Sequence, residues 1–385
     1  MQWPQFHNGA AEAMRIAINL SKLKGKETNL LRYWIMQHKP ATPRPEHAGF
    51  LLSLGLFGML DCLQNTDIYQ HLKSLHDSTT IGILLGKAAS KIGSMDLQYT
   101  KTLCMHITYL QPPNLHADIS LPVQSAAVIG AGLLYKGTRY RQITEMLLAQ
   151  IGRKPINDRS IEREVYALSS GIALGLVNLG AGQDLQTQLG DLNIEERLLR
   201  FIEGGKIMEL PRSMLQANQN IENQQCSSIR EGNQVNVHIT ASGGLFALCL
   251  IYIQSNNELI ASKLQMPETF HQLEYVRPSF LLQKVLARNM ILWDSIEATQ
   301  EWVDSQVPSI VKNIYENDMA ATEKKYAQQI GGECFDYATI ALCNVNITAG
   351  AILSLGYKFA GTGNEAAAAL IDRFIHKLRK AKVAN

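Results

Sequence analysis

Residues 49–56 read Gly-Phe-Leu-Leu-Ser-Leu-Gly-Leu, and stretches of the same kind return along the chain. At 82–86 the sequence is Gly-Ile-Leu-Leu-Gly, and at 171–176 it is Gly-Ile-Ala-Leu-Gly-Leu. Residues 243–248 read Gly-Gly-Leu-Phe-Ala-Leu, and 350–356 read Gly-Ala-Ile-Leu-Ser-Leu-Gly. Weaker copies lie at Gly9–Ala13 and Val128–Tyr135. Aligned on the first position, the register runs Gly9, Gly49, Gly82, Val128, Gly171, Gly243, Gly350. Four residues later stand Ala13, Ser53, Gly86, Gly132, Gly175, Ala247 and Ser354, all small. Such a recurrence has to be read before any local motif.

Four residues make about one helical turn, so the two small residues stack on one face. Leu, Ile, Phe and Val surround them on nearly every side, which marks a buried helix. An interior glycine costs a helix roughly 0.5–1 kcal/mol relative to alanine. Repeating it in register implies a compensating contact, the close approach of a neighbouring backbone. The repeat positions are therefore structural: Gly49, Ser53, Gly82, Gly86, Gly132, Gly171, Gly175, Gly243, Ala247, Gly350 and Ser354.

The first five copies are 40, 33, 46 and 43 residues apart, the length of a helix pair. The chain thus reads as one all-α solenoid, with repeats starting near 7, 47, 78, 123, 165, 237 and 345. Expected helices cover 8–24, 27–38, 47–60, 66–75, 78–91, 96–110, 122–135, 139–151, 160–179 and 193–203. Seven equivalent steps of about 51° each would close the array into a ring. Two longer gaps interrupt the series, of 72 and 107 residues. The first holds 209–234, rich in Gln, Asn and Ser, which reads as a mobile loop. Gln234-Val-Asn-Val-His-Ile-Thr240 then alternates as a strand does, and so does Asn344-Val-Asn-Ile-Thr348; the two are expected to pair. The second gap contains a helical insertion over 258–340, with helices at 280–293 and within 302–315, broken near Pro308. A last helix at 365–381 ends in Lys377, Arg379, Lys380 and Lys382, as suits the end of an array.

The 385 residues are 46% hydrophobic and 18% charged, with a net charge of +2. That balance gives no electrostatic drive toward nucleic acid or a membrane surface. Six cysteines without a CxxC pair read as reduced thiols, neither a disulfide frame nor a zinc site. No unbroken apolar run reaches bilayer length, and Met1-Gln-Trp-Pro-Gln-Phe lacks the features of a leader.

Local motifs carry no chemistry. Gly82–Lys87 is GxxxGK, one residue short of the phosphate-cradling loop, and Gly130-Ala-Gly132 lacks the third glycine of GxGxxG at Tyr135. His76-Asp77-Ser78 holds triad residue types, but a triad is a geometry; the segment ends one helix and caps the next. His7, His47 and His238 precede repeat helices and read as packing or capping residues rather than metal ligands. Trp293-Asp294 is a lone dipeptide without a propeller's period. The repeat helices carry Glu12 and little other acid. A helical-ring enzyme, the reading of another class, would need convergent carboxylates that the sequence does not offer. No catalytic, cofactor-binding or metal-binding residue is assigned.

His47–Leu56, Gly82–Gly86 and Ala127–Thr138 resemble proteasome/cyclosome repeats. Two scaffold subunits of the proteasome regulatory particle share these with the largest subunit of the anaphase-promoting complex. Trp3–Gly9, Leu189–Ile194, Leu286–Asp294, Trp302–Pro308 and Gly356–Gly361 are similar to the second of these families specifically, over about residues 3–363. The resemblance implies a closed helical ring and a non-catalytic scaffold within a ubiquitin ligase acting in mitosis. It implies partners among the complex's other subunits, including the small degron-assisting subunit and the coactivator, in the nucleus and cytoplasm of a eukaryote. It implies no cofactor, nucleic acid, membrane or small-molecule substrate. The proteasomal scaffold is the alternative on the same fold. The family's subunit is longer and carries an N-terminal β-propeller, so the chain reads as an excised domain or an unusually short protein.

Overall fold

The computed structural model describes residues 3–20, 28–111, 119–153, 163–182, 184–206, 234–269, 272–273, 276–316 and 337–383. The chain divides into two compact units, 1–251 and 252–385. Among the described residues both are built from helices, with no strand, as the all-α reading required.

In the first unit, six apolar helices pack one on the next. They are α1 (Trp3–Leu20), α3 (Pro45–Leu56), α5 (Asp77–Ser90), α7 (Leu121–Leu134), α9 (Arg163–Val177) and α12 (Val237–Ile251). Each carries one copy of the small-residue register. Between them lie shorter amphipathic helices, α2 (Thr28–Gln37), α4 (Asn65–Leu72), α6 (Leu97–Met105), α8 (Arg141–Ile151), α10 (Asp184–Leu189) and α11 (Ile194–Glu203). Local chemistry sets several starts. Pro45 and Pro122 occupy the first turns of α3 and α7, where a missing N–H costs nothing. The Gln64 and Asp67 side chains form a reciprocal capping box on α4, and Asp96 accepts from the Gln98 and Tyr99 N–H groups at the start of α6. His76 caps α5 by accepting from the Thr79 N–H, the capping role expected of that segment.

A two-bond backbone connector joins successive apolar helices. After α5, the Gly93 and Met95 N–H groups donate to the Leu133 and Leu134 carbonyls, each at 3.1 Å. Gly137 and Arg139 donate likewise to Leu176 and Val177, and Gly180 and Gly182 to Leu250 and Ile251. All six donors have positive φ, from 48° to 71°. Met95 and Arg139 hold that conformation without being glycine, a sign that the connector imposes it.

The second unit contains α13 (Glu258–Lys263), α14 (Pro278–Ile291), α15 (Gln300–Ser305), α16 (Ser309–Glu316), α17 (Tyr337–Lys358) and α18 (Glu365–Val383). Its core gathers Leu281, Val285, Trp302, Val303, Ile347 and Leu355. α14 packs on α17 as the apolar helices of the first unit pack on one another, and the connector recurs: Gln254 and Asn256 N–H, again at positive φ, donate to Met290 and Ile291. Sequence reading placed α14 in an insertion; it contains no glycine, so the register could not reveal it as a repeat-like helix.

Two expectations are corrected. Neither expected strand exists. Val237–Thr240 opens α12, and Asn344–Thr348 lies inside α17; among the described residues the β pairing is an isolated antiparallel bridge between Lys206 and Gln234. Five to seven alternating residues cannot separate a two-residue period from a buried helix. The polar residues bond back along the helices: Thr348 Oγ1 donates to Asn344 O at 2.8 Å, and Asn346 Nδ2 to Leu342 O at 2.8 Å. Second, α17 is long and apolar enough over Thr339–Lys358 to cross a bilayer, a span the search for unbroken apolar runs missed because Asn344, Asn346 and Ser354 interrupt it. Its Ile340, Cys343, Ile347, Ala351 and Leu355 are buried in the core of the unit. The expected loop at 209–234 lies, but for Gln234, outside the described residues.

Candidate interaction surfaces

The repeat positions are where backbones touch. A Cβ built on Gly171 would stand 2.0 Å from Gly243 O, and one on Gly243 would stand 2.3 Å from Ala167 O. On Gly49 it would meet Phe6 O at 1.9 Å, on Gly82 Ala48 O at 2.4 Å, and on Gly132 the Ala173 Cα at 2.6 Å. Gly86 faces Leu51 O at 2.7 Å, and Gly350 faces Leu282 O at 2.7 Å. Gly175 meets the Leu250 side chain instead, at 2.6 Å. Ser53, Ala247 and Ser354 are buried, and Ser354 Oγ donates to Gly350 O. This seam commits one face of every apolar helix to its neighbour.

The ionisable groups inside serve the fold. Lys87, the lysine of the truncated phosphate-loop motif, is buried and donates to the Leu60, Asp61 and Leu63 carbonyls at 2.9, 3.0 and 2.9 Å. An ammonium has three donors, so the set is complete. Burial pushes its pKa down to about 8. His47 is buried against His71, with Nε2 and Nδ1 3.4 Å apart and the rings stacked, while His7 and His238 are exposed on their helices. Burial, reinforced for His47 by the neighbouring His71, pushes the pKa values down to about 3 and about 4. Arg32 grips Asp67 through two bonds of 2.6 and 2.9 Å. Cys249 and Cys343 are buried thiols and Cys62 and Cys104 half-buried ones, all free. Among the described residues no group of three His, Cys, Asp or Glu could hold a metal ion. A cavity of about 350 Å³ opens among Gln64, Asn65, Lys87, Lys91, Asp96 and Tyr99, where both lysines are already engaged by carbonyls or carboxylates.

Among the described residues, exposed apolar side chains group on α1, on α17 and around the α5 C-terminus. α1 exposes Trp3, Ala11 and Met14 along one face. α17 exposes Leu342, Val345, Leu353 and Tyr357 along one face. Near the α3–α5 contact, Leu56, Ile92, Met95 and Leu97 are exposed. Sequence patterning had no means of finding the α17 face, because that helix is apolar nearly all round.

A family model described as the APC1 fifth domain matches residues 97–385, and one described as the APC1 fourth domain matches residues 1–92. The chain belongs to the anaphase-promoting complex subunit 1 family. Relatives named anaphase-promoting complex subunit 1 include those of Mus musculus and Homo sapiens, each 39% identical over 379 residues, 97% of this chain and 18% of their own length. The Arabidopsis thaliana relative is 39% identical over 374 residues, 97% of this chain and 21% of its own. The chain spans about a fifth of the length of the curated relatives it matches. Membership of the subunit 1 family decides between the two scaffold families that share these repeats.

Proposed function

We propose that the chain is a non-catalytic scaffold segment of the anaphase-promoting complex, a eukaryotic ubiquitin ligase of the nucleus and cytoplasm. It binds neighbouring subunits, the small degron-assisting subunit and the coactivator among them. The subunit 1 match over 97% of the chain carries this reading. The physical support is that the buried ionisable groups are spent on capping and packing, while apolar side chains such as Leu56, Ile92, Met95 and Leu97 stay exposed.

The array is proposed to be a single domain that closes into a ring, with the small-residue helices on its inner side. What supports closure is the character of the two end helices. The exposed Val345, Leu353 and Tyr357 and the half-buried Ala349 of α17 correspond in register to Val123, Ala131, Tyr135 and Ala127 of α7, all buried. The Gly361 and Gly363 turn after α17 also has the paired positive φ of the connector turns. Reconstitution with purified neighbouring subunits tests the scaffold reading: a folded chain that captures none of them, even with an assembly lacking this segment, defeats it. Cysteines placed at Ala11 and Ala349 test closure separately. Failure of a short bifunctional maleimide to link them within one chain would refute the ring and leave the scaffold reading standing.

A further inference from the structure

Among the described residues, and α1–α3 apart, the joints between apolar helices within a unit are of two chemical kinds. Three in the first unit use the paired backbone bonds, ending at Leu133–Leu134, Leu176–Val177 and Leu250–Ile251. At the α3–α5 and α14–α17 joints no such backbone bond occurs among the described residues. A 3₁₀ turn follows the first helix instead, Met59–Cys62 or Trp293–Ser295, and a lysine on the second helix gathers its carbonyls. Lys358 Nζ donates to Trp293, Asp294 and Ile296 O at 2.9, 3.2 and 2.9 Å, the same i, i+1, i+3 set that Lys87 takes from Leu60, Asp61 and Leu63.

The two lysines do not occupy one register position. Lys87 is five residues beyond Gly82 and Lys358 eight beyond Gly350. Three residues of helix are about 4.5 Å of rise. The same three-carbonyl grip is therefore reached from two axial positions, because the ammonium rides on a flexible four-carbon stem. A pair of backbone N–H groups held at positive φ has no such latitude. We propose that the α3–α5 joint of the first unit and the α14–α17 joint of the second are preset compliant joints, at which neighbouring helices shift along one another while the lysine keeps its bonds, and that the backbone-bonded joints within the first unit move as rigid blocks.

Dipolar electron paramagnetic resonance on the full chain tests this, with nitroxide amino acids incorporated at exposed positions. The Leu56–Ile92 pair reads the lysine-held joint and the Ile92–Lys136 pair the backbone-bonded one. The expected result is a distance distribution at least twofold broader across the first, broadening further in K87M while the second stays unchanged. Hydrogen exchange gives the parallel result: peptides over 57–63 and 292–296 exchange faster than those over 91–96, 136–140 and 179–182. K358M should accelerate 292–296 without affecting 57–63. Equal widths and equal exchange at the two kinds of joint overturn the proposal. So does a K87M or K358M effect spread evenly over the unit, which would make the lysine a general stabiliser. Should K87M fail to fold, the parent comparison and K358M decide the matter.

Discussion

Adding one methyl group at Gly171 should separate helices α9 and α12. The built Cβ lies 2.0 Å from Gly243 O, 2.4 Å from its carbonyl carbon and 2.5 Å from its Cα, whereas ordinary contact begins at 3.4 Å. The gap must widen by about 1.4 Å, and every obstructing atom is helix backbone, so no rotamer change relieves it. Overpacking of this sort costs about 1–3 kcal/mol, and the gain in helix propensity returns up to about 1 kcal/mol. Gly171→Ala is therefore expected to lose on the order of 1–2 kcal/mol, a fall of a few degrees in melting temperature for a unit of this size. Gly190→Ala, in the same unit with nothing within 4 Å of its built Cβ, should be neutral or stabilise by about 0.4–1 kcal/mol. Adding Gly243→Ala to Gly171→Ala should cost less than the sum, since one widening serves both. Urea denaturation followed by circular dichroism reads all four proteins. A Gly171→Ala midpoint at or above that of the parent would refute the backbone-contact account of the register.

The buried His47–His71 pair makes the first unit acid-sensitive. Both folded pKa values lie below the ordinary 6.5, so the unfolded chain binds more protons; stability is fully present above about pH 6.5 and falls toward pH 4, by about 1.4 kcal/mol per pH unit for each histidine that protonates on unfolding. Urea midpoints from pH 7 to 5 should flatten in His71→Asn, and an unchanged slope would contradict this origin. The buried Tyr99 hydroxyl donates to Leu84 O at 2.8 Å, so Tyr99→Phe should cost about 0.5–1.5 kcal/mol in thermal denaturation; a variant as stable as the parent would show that bond to be of no net worth. In Gly356→Ala no atom lies within 4 Å of the new Cβ, so α17 should gain up to about 1 kcal/mol; a destabilised variant would reveal a contact on that face.

The small-residue register located six of the apolar helices within a few residues, because glycine at the seam answers to one neighbour, the facing backbone. α14 escaped that test: its contact with α17 is made by Leu282 and Val285 against Gly350, so the small residue sits on the partner. The alternation at 234–240 and 344–348 misled for a related reason. Tertiary burial, not the local pattern, selected the helix there, and Asn and Thr were absorbed by carbonyls four residues back. Lys87 stood in a recognisable motif whose spacing excluded phosphate, yet only the fold shows the three carbonyls that hold it. The exposed face of α17 was invisible in advance, since an all-round apolar helix does not declare which side its neighbours leave bare.

The connector also explains why the copies are so unevenly spaced along the chain. Leu133 follows Gly93 by 40 residues, Leu176 follows Gly137 by 39, Leu250 follows Gly180 by 70, and Met290 follows Gln254 by 36, yet the two bonds formed are the same in each case. The length of chain that leaves one apolar helix and returns in the next is thus decoupled from the geometry of their junction. Loop-closure entropy grows only slowly with such length. Natural lineages can lengthen these excursions without disturbing the alignment of the helices on either side.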